Sequence, residues 1–175
     1  LRDGMRLLDI GCGWGGLLIR AAERFEVEAV GITLSERQFE LAGERIAERG
    51  LADRCRVELL DYRDAAATLG TFERISSVGM AEHVGASQIK EYFVAAASAL
   101  RPGGLFLNHA IAAQPVRTPP PGMVFGGPLR QLVRERSFID AYVFPDGELL
   151  PLNVSLHAAE AAGFTVRDVE SLRPH

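Results

Sequence analysis

Asp9, Gly11, Cys12, Gly13 and Gly16 close a short apolar run, with glycines recurring before a helical pattern begins. An apolar run of this length, bounded by glycines, reads as a buried parallel strand. The glycines permit a sharp turn and leave room for a ligand to press against the main chain. The helix that follows starts with its free N–H groups aimed at that space. Such a loop holds a nucleotide cofactor, and Gly11-x-Gly13-x-x-Gly16 also satisfies the dinucleotide fingerprint.

The second strand decides between cofactors. A dinucleotide site wants a carboxylate about 20 residues on, at the strand tip, to hold the ribose 2′-hydroxyl. Here Val27-Glu28-Ala29-Val30-Gly31-Ile32-Thr33 ends in threonine, and Glu28 lies near the strand's start, away from the cofactor crevice. Asp9, just before the glycine turn, suits a cationic ligand and would repel a pyrophosphate. S-adenosylmethionine carries a sulfonium and an ammonium, so charge complementarity favours it. The alternative role for Asp9 is to pin the loop through backbone N–H groups.

These residues need a parallel sheet to position them, and strands and helices do alternate along the chain in the βαβ manner. The first strand is Arg6–Ile10, followed by a helix with Leu18, Ala21, Ala22 and Phe25 on one face. Ser35-Glu36-Arg37-Gln38 is a capping box opening a helix that runs to about Gly50. Strands are expected at 57–60 and 74–78, and Ser87 can cap a helix through Leu100. Arg101-Pro102-Gly103-Gly104 turns the chain into a fifth strand at 105–111. Leu152, Leu156 and Ala159 mark a helix that Gly163 can end, and 164–169 reads as a sixth strand. The fold expected is α/β, a doubly wound, mostly parallel Rossmann-like sheet with helices on both faces. It forms one domain over 1–175, interrupted by a Pro/Gly-rich insertion at 114–137.

Composition narrows the function. With 175 residues, 47% apolar and 24% charged, the chain fits one ordinary globular domain. A net charge of −4 gives no footprint for nucleic acid. Two cysteines, Cys12 and Cys55, make no disulfide framework, so a reducing cytoplasm is the expected setting. No apolar run approaches the roughly 18 residues that span a bilayer, and no signal peptide is visible. The chain starts almost directly at its first strand without Met and ends abruptly, so it reads as a piece of a longer polypeptide.

Several further segments carry a more specific signal. They are Gly31-Ile32-Thr33-Leu34-Ser35-Glu36-Arg37-Gln38, Asp61-Tyr62-Arg63-Asp64, Met80-Ala81-Glu82-His83-Val84-Gly85 and Asn108-His109-Ala110-Ile111. Phe138-Ile139 through Tyr142-Val143-Phe144-Pro145-Asp146-Gly147 joins them, with Leu100-Arg101-Pro102-Gly103-Gly104 between. In this order, together with the glycine loop, they resemble the cyclopropane-fatty-acid synthase and mycolic-acid cyclopropane synthase family of methyltransferases. The resemblance implies S-adenosylmethionine across the tips of strands one to four. Gly11, Cys12 and Gly13 would approach its methionine part, with Asp9 behind them. Thr33, Leu34 and Gln38 look like the ribose contacts, and Asp61, Tyr62 and Arg63 like the adenine edge. Gln38 could equally complete the capping box, and Tyr62 could be core filler.

The resemblance also implies a reaction. A cis alkene in a phospholipid acyl chain attacks the sulfonium methyl; the resulting cation loses a proton to a bound bicarbonate, and a cyclopropane ring closes. Glu82 and His109, with the Ile111 backbone, match the residues that hold the bicarbonate. Glu82 follows strand four and His109 lies in the C-terminal part of strand five, so both can face the crevice of a parallel sheet. A core histidine and a helix-capping carboxylate are their structural alternatives. His83 reads as structural. Metal ligation is not expected, because Glu82-His83 lacks the His-Glu-x-x-His spacing and His157 sits on a separate helix.

Some positions depart from the family pattern. Ala81, Ala110 and Ala112 replace larger or different residues around the site, which bears on substrate choice. A cysteine expected upstream and a tyrosine expected downstream of the chain are not in it. Met123, Val124 and Phe125 offer apolar contact in the insertion, and Arg130, Arg134 and Arg136 could meet lipid phosphates at the inner membrane face. A solvated surface connection is the plainer reading of that segment. Two other functions stay open: methyl transfer to a small amine, and a non-catalytic cofactor-binding remnant.

Overall fold

The computed structural model describes residues 1–113 and 148–172. The Pro/Gly-rich insertion, the Phe138–Pro145 motif and Asp146-Gly147 lie outside the described residues. So do the expectations resting on Met123, Val124, Phe125, Arg130, Arg134 and Arg136.

Five strands form one sheet: β1 (Arg6–Ile10), β2 (Glu28–Thr33), β3 (Cys55–Leu59), β4 (Phe72–Val78) and β5 (Leu100–His109). Their order is β3-β2-β1-β4-β5, and every pairing is parallel. The helices among the described residues are α1 (Gly16–Arg24), α2 (Glu36–Glu48), α3 (Ala65–Leu69), α4 (Ala81–Val84) and α5 (Ile89–Ala99), which lie between the strands, and α6 (Leu152–Ala161), which follows β5. A 3₁₀ turn, Tyr62–Asp64, precedes α3. The order reverses at β1, so the crevice beyond the carboxyl ends of β1 and β4 is the place where such a sheet binds ligands.

Strand alternation assigns each side chain to a face. Leu7 and Ala29 pack with Leu18, Ile19, Ala21, Ala22 and Ile46 of α1 and α2. Leu8, Ile10, Val30 and Ile32 pack on the opposite face with Ile89, Tyr92, Phe93 and Ala96 of α5 and with Ala158 and Ala159 of α6. The doubly wound α/β sheet with helices on both faces is therefore the observed fold. At its far edge the α1-side face is bare: Val78, Leu105 and Leu107 are exposed.

Helix ends follow their local chemistry. Ser35 caps α2 by accepting the Gln38 N–H. Gly163 ends α6 with φ 94°, donating to the Glu160 carbonyl while Phe164 donates to Ala159, the Schellman pattern.

Three expectations are corrected. Ser87 does not cap α5: Gln88 holds the cap position without a side-chain bond, and the loop's Ala86 N–H goes to the Glu148 carboxylate. The fifth strand begins earlier and stops at His109, because the Ile111 N–H is spent on Glu82 rather than on a ladder. The Arg101–Gly104 turn survives as a bulge, since β5 advances from Leu100 to Leu105 while β4 advances only from Phe72 to Arg74. Residues 164–169 form no strand; their alternation half-buries Phe164 and Val166, but no described strand pairs with them. Phe164 instead stacks near Phe106, ring centres 5.5 Å apart. The 3₁₀ turn, α3 and α4 are elements that periodicity did not reveal, being too short to show a repeat.

Candidate active site

The glycine loop is built by its contacts with β2. Gly11 and Cys12 both donate N–H to the Ile32 carbonyl at 3.0 Å, which holds the chain in its turn after β1. Gly11, Gly13 and Gly15 have φ of 72°, 53° and 77°, a region other residues enter only at a cost. The Cys12 side chain folds back onto Gly31, where a β-carbon would stand 2.7 Å from Cys12 Cβ. Cys12 is buried, and burial pushes its thiol up to about 12 with a further push from Asp9, so it packs and does not attack. Glu28, at the opposite end of β2, is ion-paired with Arg6 and Arg56.

Asp9 is buried on the α1-side face and accepts a 2.7 Å hydrogen bond from the Ser76 hydroxyl of β4. Burial raises its pKa to about 6, and the Ser76 bond offsets part of that rise. The loop amides go to Ile32, not to Asp9, so the pinning role considered for this carboxylate is performed by a backbone carbonyl.

At the tip of β2, the Thr33 hydroxyl donates to Gln38 Oε1 at 2.7 Å and accepts the Ser35 N–H at 3.1 Å. The reciprocal capping bond expected from Gln38 is thus relayed through Thr33. Leu34 is two-thirds exposed beside them. After β3, the Arg63 guanidinium makes a forked pair with the Asp61 carboxylate, at 2.9 and 2.6 Å, and holds that carboxyl below its usual range. Tyr62 turns inward: it is buried and meets Tyr92 edge-on, ring centres 5.5 Å apart.

Beyond β4 the single turn α4 carries Glu82 into the interior. Its Oε1 accepts the Ile111 N–H at 2.6 Å, and its Oε2 is buried without a hydrogen-bond partner among the described residues. A buried carboxylate oxygen with no donor is costly, and so marks a place for one. Met80, at the start of the same turn, packs on the glycine loop: a β-carbon on Gly11 would meet its side chain at 3.2 Å. His109 ends β5 opposite Val78 and shares the exposed face with Leu105 and Leu107. Its carbonyl accepts the Gly79 N–H at 2.9 Å, while its ring makes no hydrogen bond among the described residues.

The glycine loop, Thr33, Asp61, Glu82, His109 and Ile111 lie at or beyond the carboxyl ends of the strands. Glu82 and Ile111 are in direct contact; Asp9 stands one layer below the loop; Tyr62 is in the core. Ser76 and Met80 were not anticipated. Two adjacent serines toward the end of β4, Ser76 and Ser77, were the available signal for the first.

Comparison with known proteins supplies a lineage for this arrangement. The family model described as mycolic acid cyclopropane synthetase matches residues 1–175. A probable fatty acid methyltransferase of Pseudomonas putida is 43% identical over 175 residues, covering all of this chain and 42% of its own length. The cyclopropane-fatty-acyl-phospholipid synthase of Escherichia coli K12 is 37% identical over 147 residues, 84% of this chain and 33% of its own length. The chain therefore spans well under half the length of these relatives. Among solved structures, mycolic acid cyclopropane synthase CmaA1 complexed with SAH and CTAB superposes with a TM-score of 0.80 at 33% identity, over 98% of this chain and 59% of that one.

Proposed function

The chain belongs to the mycolic acid cyclopropane synthetase family, and on that premise we propose that the whole protein transfers a methyl group from S-adenosylmethionine to the cis double bond of an unsaturated phospholipid acyl chain, closing a cyclopropane ring. The observation that carries this reading is the Glu82 carboxylate, buried at the crevice with Oε2 lacking a donor. The relative solved with SAH and CTAB supports both halves, a spent methyl donor and a single long alkyl chain.

Asp9, Gly11, Cys12 and Gly13 would hold the methionine part of the donor, the ionised Asp9 favouring its positive charge. Thr33, Leu34 and Gln38 would meet the ribose, and Asp61 with Arg63 the adenine edge. An alkene is a poor nucleophile, so these groups contribute by fixing the methyl carbon against it rather than by activating it.

Bicarbonate fits the free oxygen of Glu82, since its hydroxyl can donate to Oε2, and when bound it would supply the base for the final deprotonation. His109 and the Ile111 carbonyl would complete its surround; the Ile111 N–H is already committed to Glu82. The acceptor makes contact with a bilayer surface necessary, and no helix among the described residues is long and apolar enough to cross one.

The test incubates the full-length protein with S-adenosylmethionine and monounsaturated phospholipid, followed by mass spectrometry. A lipid one methylene heavier that has lost its double bond is expected. The same gain with the double bond kept, or with a methylene branch, overturns ring closure. Methylated amines without lipid product overturn the acceptor class.

A further inference from the structure

Tyr92 is wholly buried on α5, among Tyr62, Phe93 and Phe106. A phenylalanine would satisfy that aromatic cluster, as Phe93 and Phe106 already do. The hydroxyl is therefore the informative atom, because a buried phenol must find a partner. Its partner is Asn108 Oδ1 on β5, at 3.0 Å.

Asn108 stands opposite Ser77 on β4, immediately before His109, where the strand ends. Past that point the His109 carbonyl accepts from Gly79, the Ile111 N–H donates to Glu82 Oε1, and the Ala113 N–H donates to the Leu150 carbonyl. The Tyr92–Asn108 pair is the side-chain anchor just upstream of them, and it ties the strand exit to the packed helix α5. The Ser77 hydroxyl and the Glu82 carboxylate both influence the phenol electrostatically.

We propose that the Tyr92 hydroxyl and the Asn108 side chain are positioning residues, which hold the exit of β5 so that the Ile111 N–H engages Glu82 Oε1 and leaves Oε2 for a bound group. The inference rests on the reading of Glu82 given above. Neither side chain touches the reacting atoms; they act through the backbone between Asn108 and Ile111. Losing the pair would let that backbone shift, and a misplacement on the order of 1 Å costs as much as about 100-fold in rate.

Tyr92→Phe keeps the ring and deletes the bond, and Asn108→Leu deletes it from the other side. In the full-length protein, amide exchange at Ile111 is expected to quicken about tenfold in either variant, the loss of one buried hydrogen bond. Exchange at Leu8 in the central strand serves as the control and stays level. The double variant should equal either single one, because only one bond is removed. Turnover is expected to fall about 10- to 100-fold with the KM for S-adenosylmethionine unchanged and half-saturating bicarbonate raised.

Unchanged Ile111 exchange in both single variants, or additive effects in the double, overturns the proposal. Should one variant fail to fold, the other carries the comparison. Wild-type turnover indifferent to bicarbonate would remove the earlier reading of Glu82, while exchange at Ile111 still judges the anchor by itself.

Discussion

The Cys12 side chain lies against the bare α-carbon of Gly31, so close that a methyl group at position 31 would stand 2.7 Å from Cys12 Cβ, 2.8 Å from its sulfur and 2.9 Å from Leu18 Cδ2. The glycine loop is thus seated on strand β2 by the absence of a side chain. Gly31→Ala must push the loop outward or strain β2, at a cost of about 1–3 kcal/mol. Thermal unfolding should register that loss, and calorimetric titration should show weakened S-adenosylmethionine binding. Binding at wild-type strength would show that the loop's seat is irrelevant to the donor.

Asp9 should make both stability and donor binding depend on pH, in opposite senses. Its folded-state pKa, about 6, exceeds the ordinary aspartate value of 3.8, so between those limits the native state keeps a proton that the unfolded chain has lost. Stability therefore falls as pH rises through this window, by about 3 kcal/mol once the carboxyl is fully ionised. Asp9→Asn should flatten that dependence in denaturant titrations. A cationic donor favours the ionised carboxylate, so its affinity should rise about tenfold per unit as pH climbs toward 6, then level off. Affinity independent of pH between 5 and 7 would place the sulfonium away from Asp9.

Glu82→Gln separates the two oxygens of the carboxylate. The amide oxygen still accepts the Ile111 N–H, so the melting temperature should hold, while the free lone pairs at Oε2 become N–H donors. Turnover is expected to fall by about 10²–10³-fold. Glu82→Ala additionally orphans the Ile111 N–H and should cost about 1–3 kcal/mol in stability. Equal turnover in wild type and Glu82→Gln would end the case for this residue.

Thr33→Val preserves shape and removes the hydroxyl that joins Gln38 to the Ser35 N–H. Two partly buried polar groups lose their partner, for about 1–2 kcal/mol. If Gln38 serves the donor's ribose as well as the helix, the KM for S-adenosylmethionine rises several-fold with kcat intact. A stability loss without any change in KM would confine Thr33 and Gln38 to capping.

The glycine turn and the cap of α2 were legible in the sequence because their chemistry is local. Glycine spacing, Asp9 before the turn and Ser35 with Gln38 all act within a few residues of themselves, and the structure forms the expected turn and cap. The acceptor half was not legible in that way. Glu82 meets Ile111 across a separation in sequence that no periodicity encodes, and only the family resemblance singled it out. Residues 164–169 show the same limit: alternation foretold which side chains turn inward, but a strand also needs a neighbour. His109 fell on the exposed face with Leu107 because the strand's register, set by β4, decides its side.

The switch in strand order at β1 has a consequence for how this fold diversifies. The residues proposed for the donor come from the exits of β1, β2 and β3, encoded before position 64, whereas those proposed for the acceptor leave β4 and β5, encoded after position 79. The packing of Met80 on Gly11 joins the two sets across the crevice. A lineage can therefore rewrite one contiguous stretch of gene and change what is methylated while inheriting the methyl supply intact.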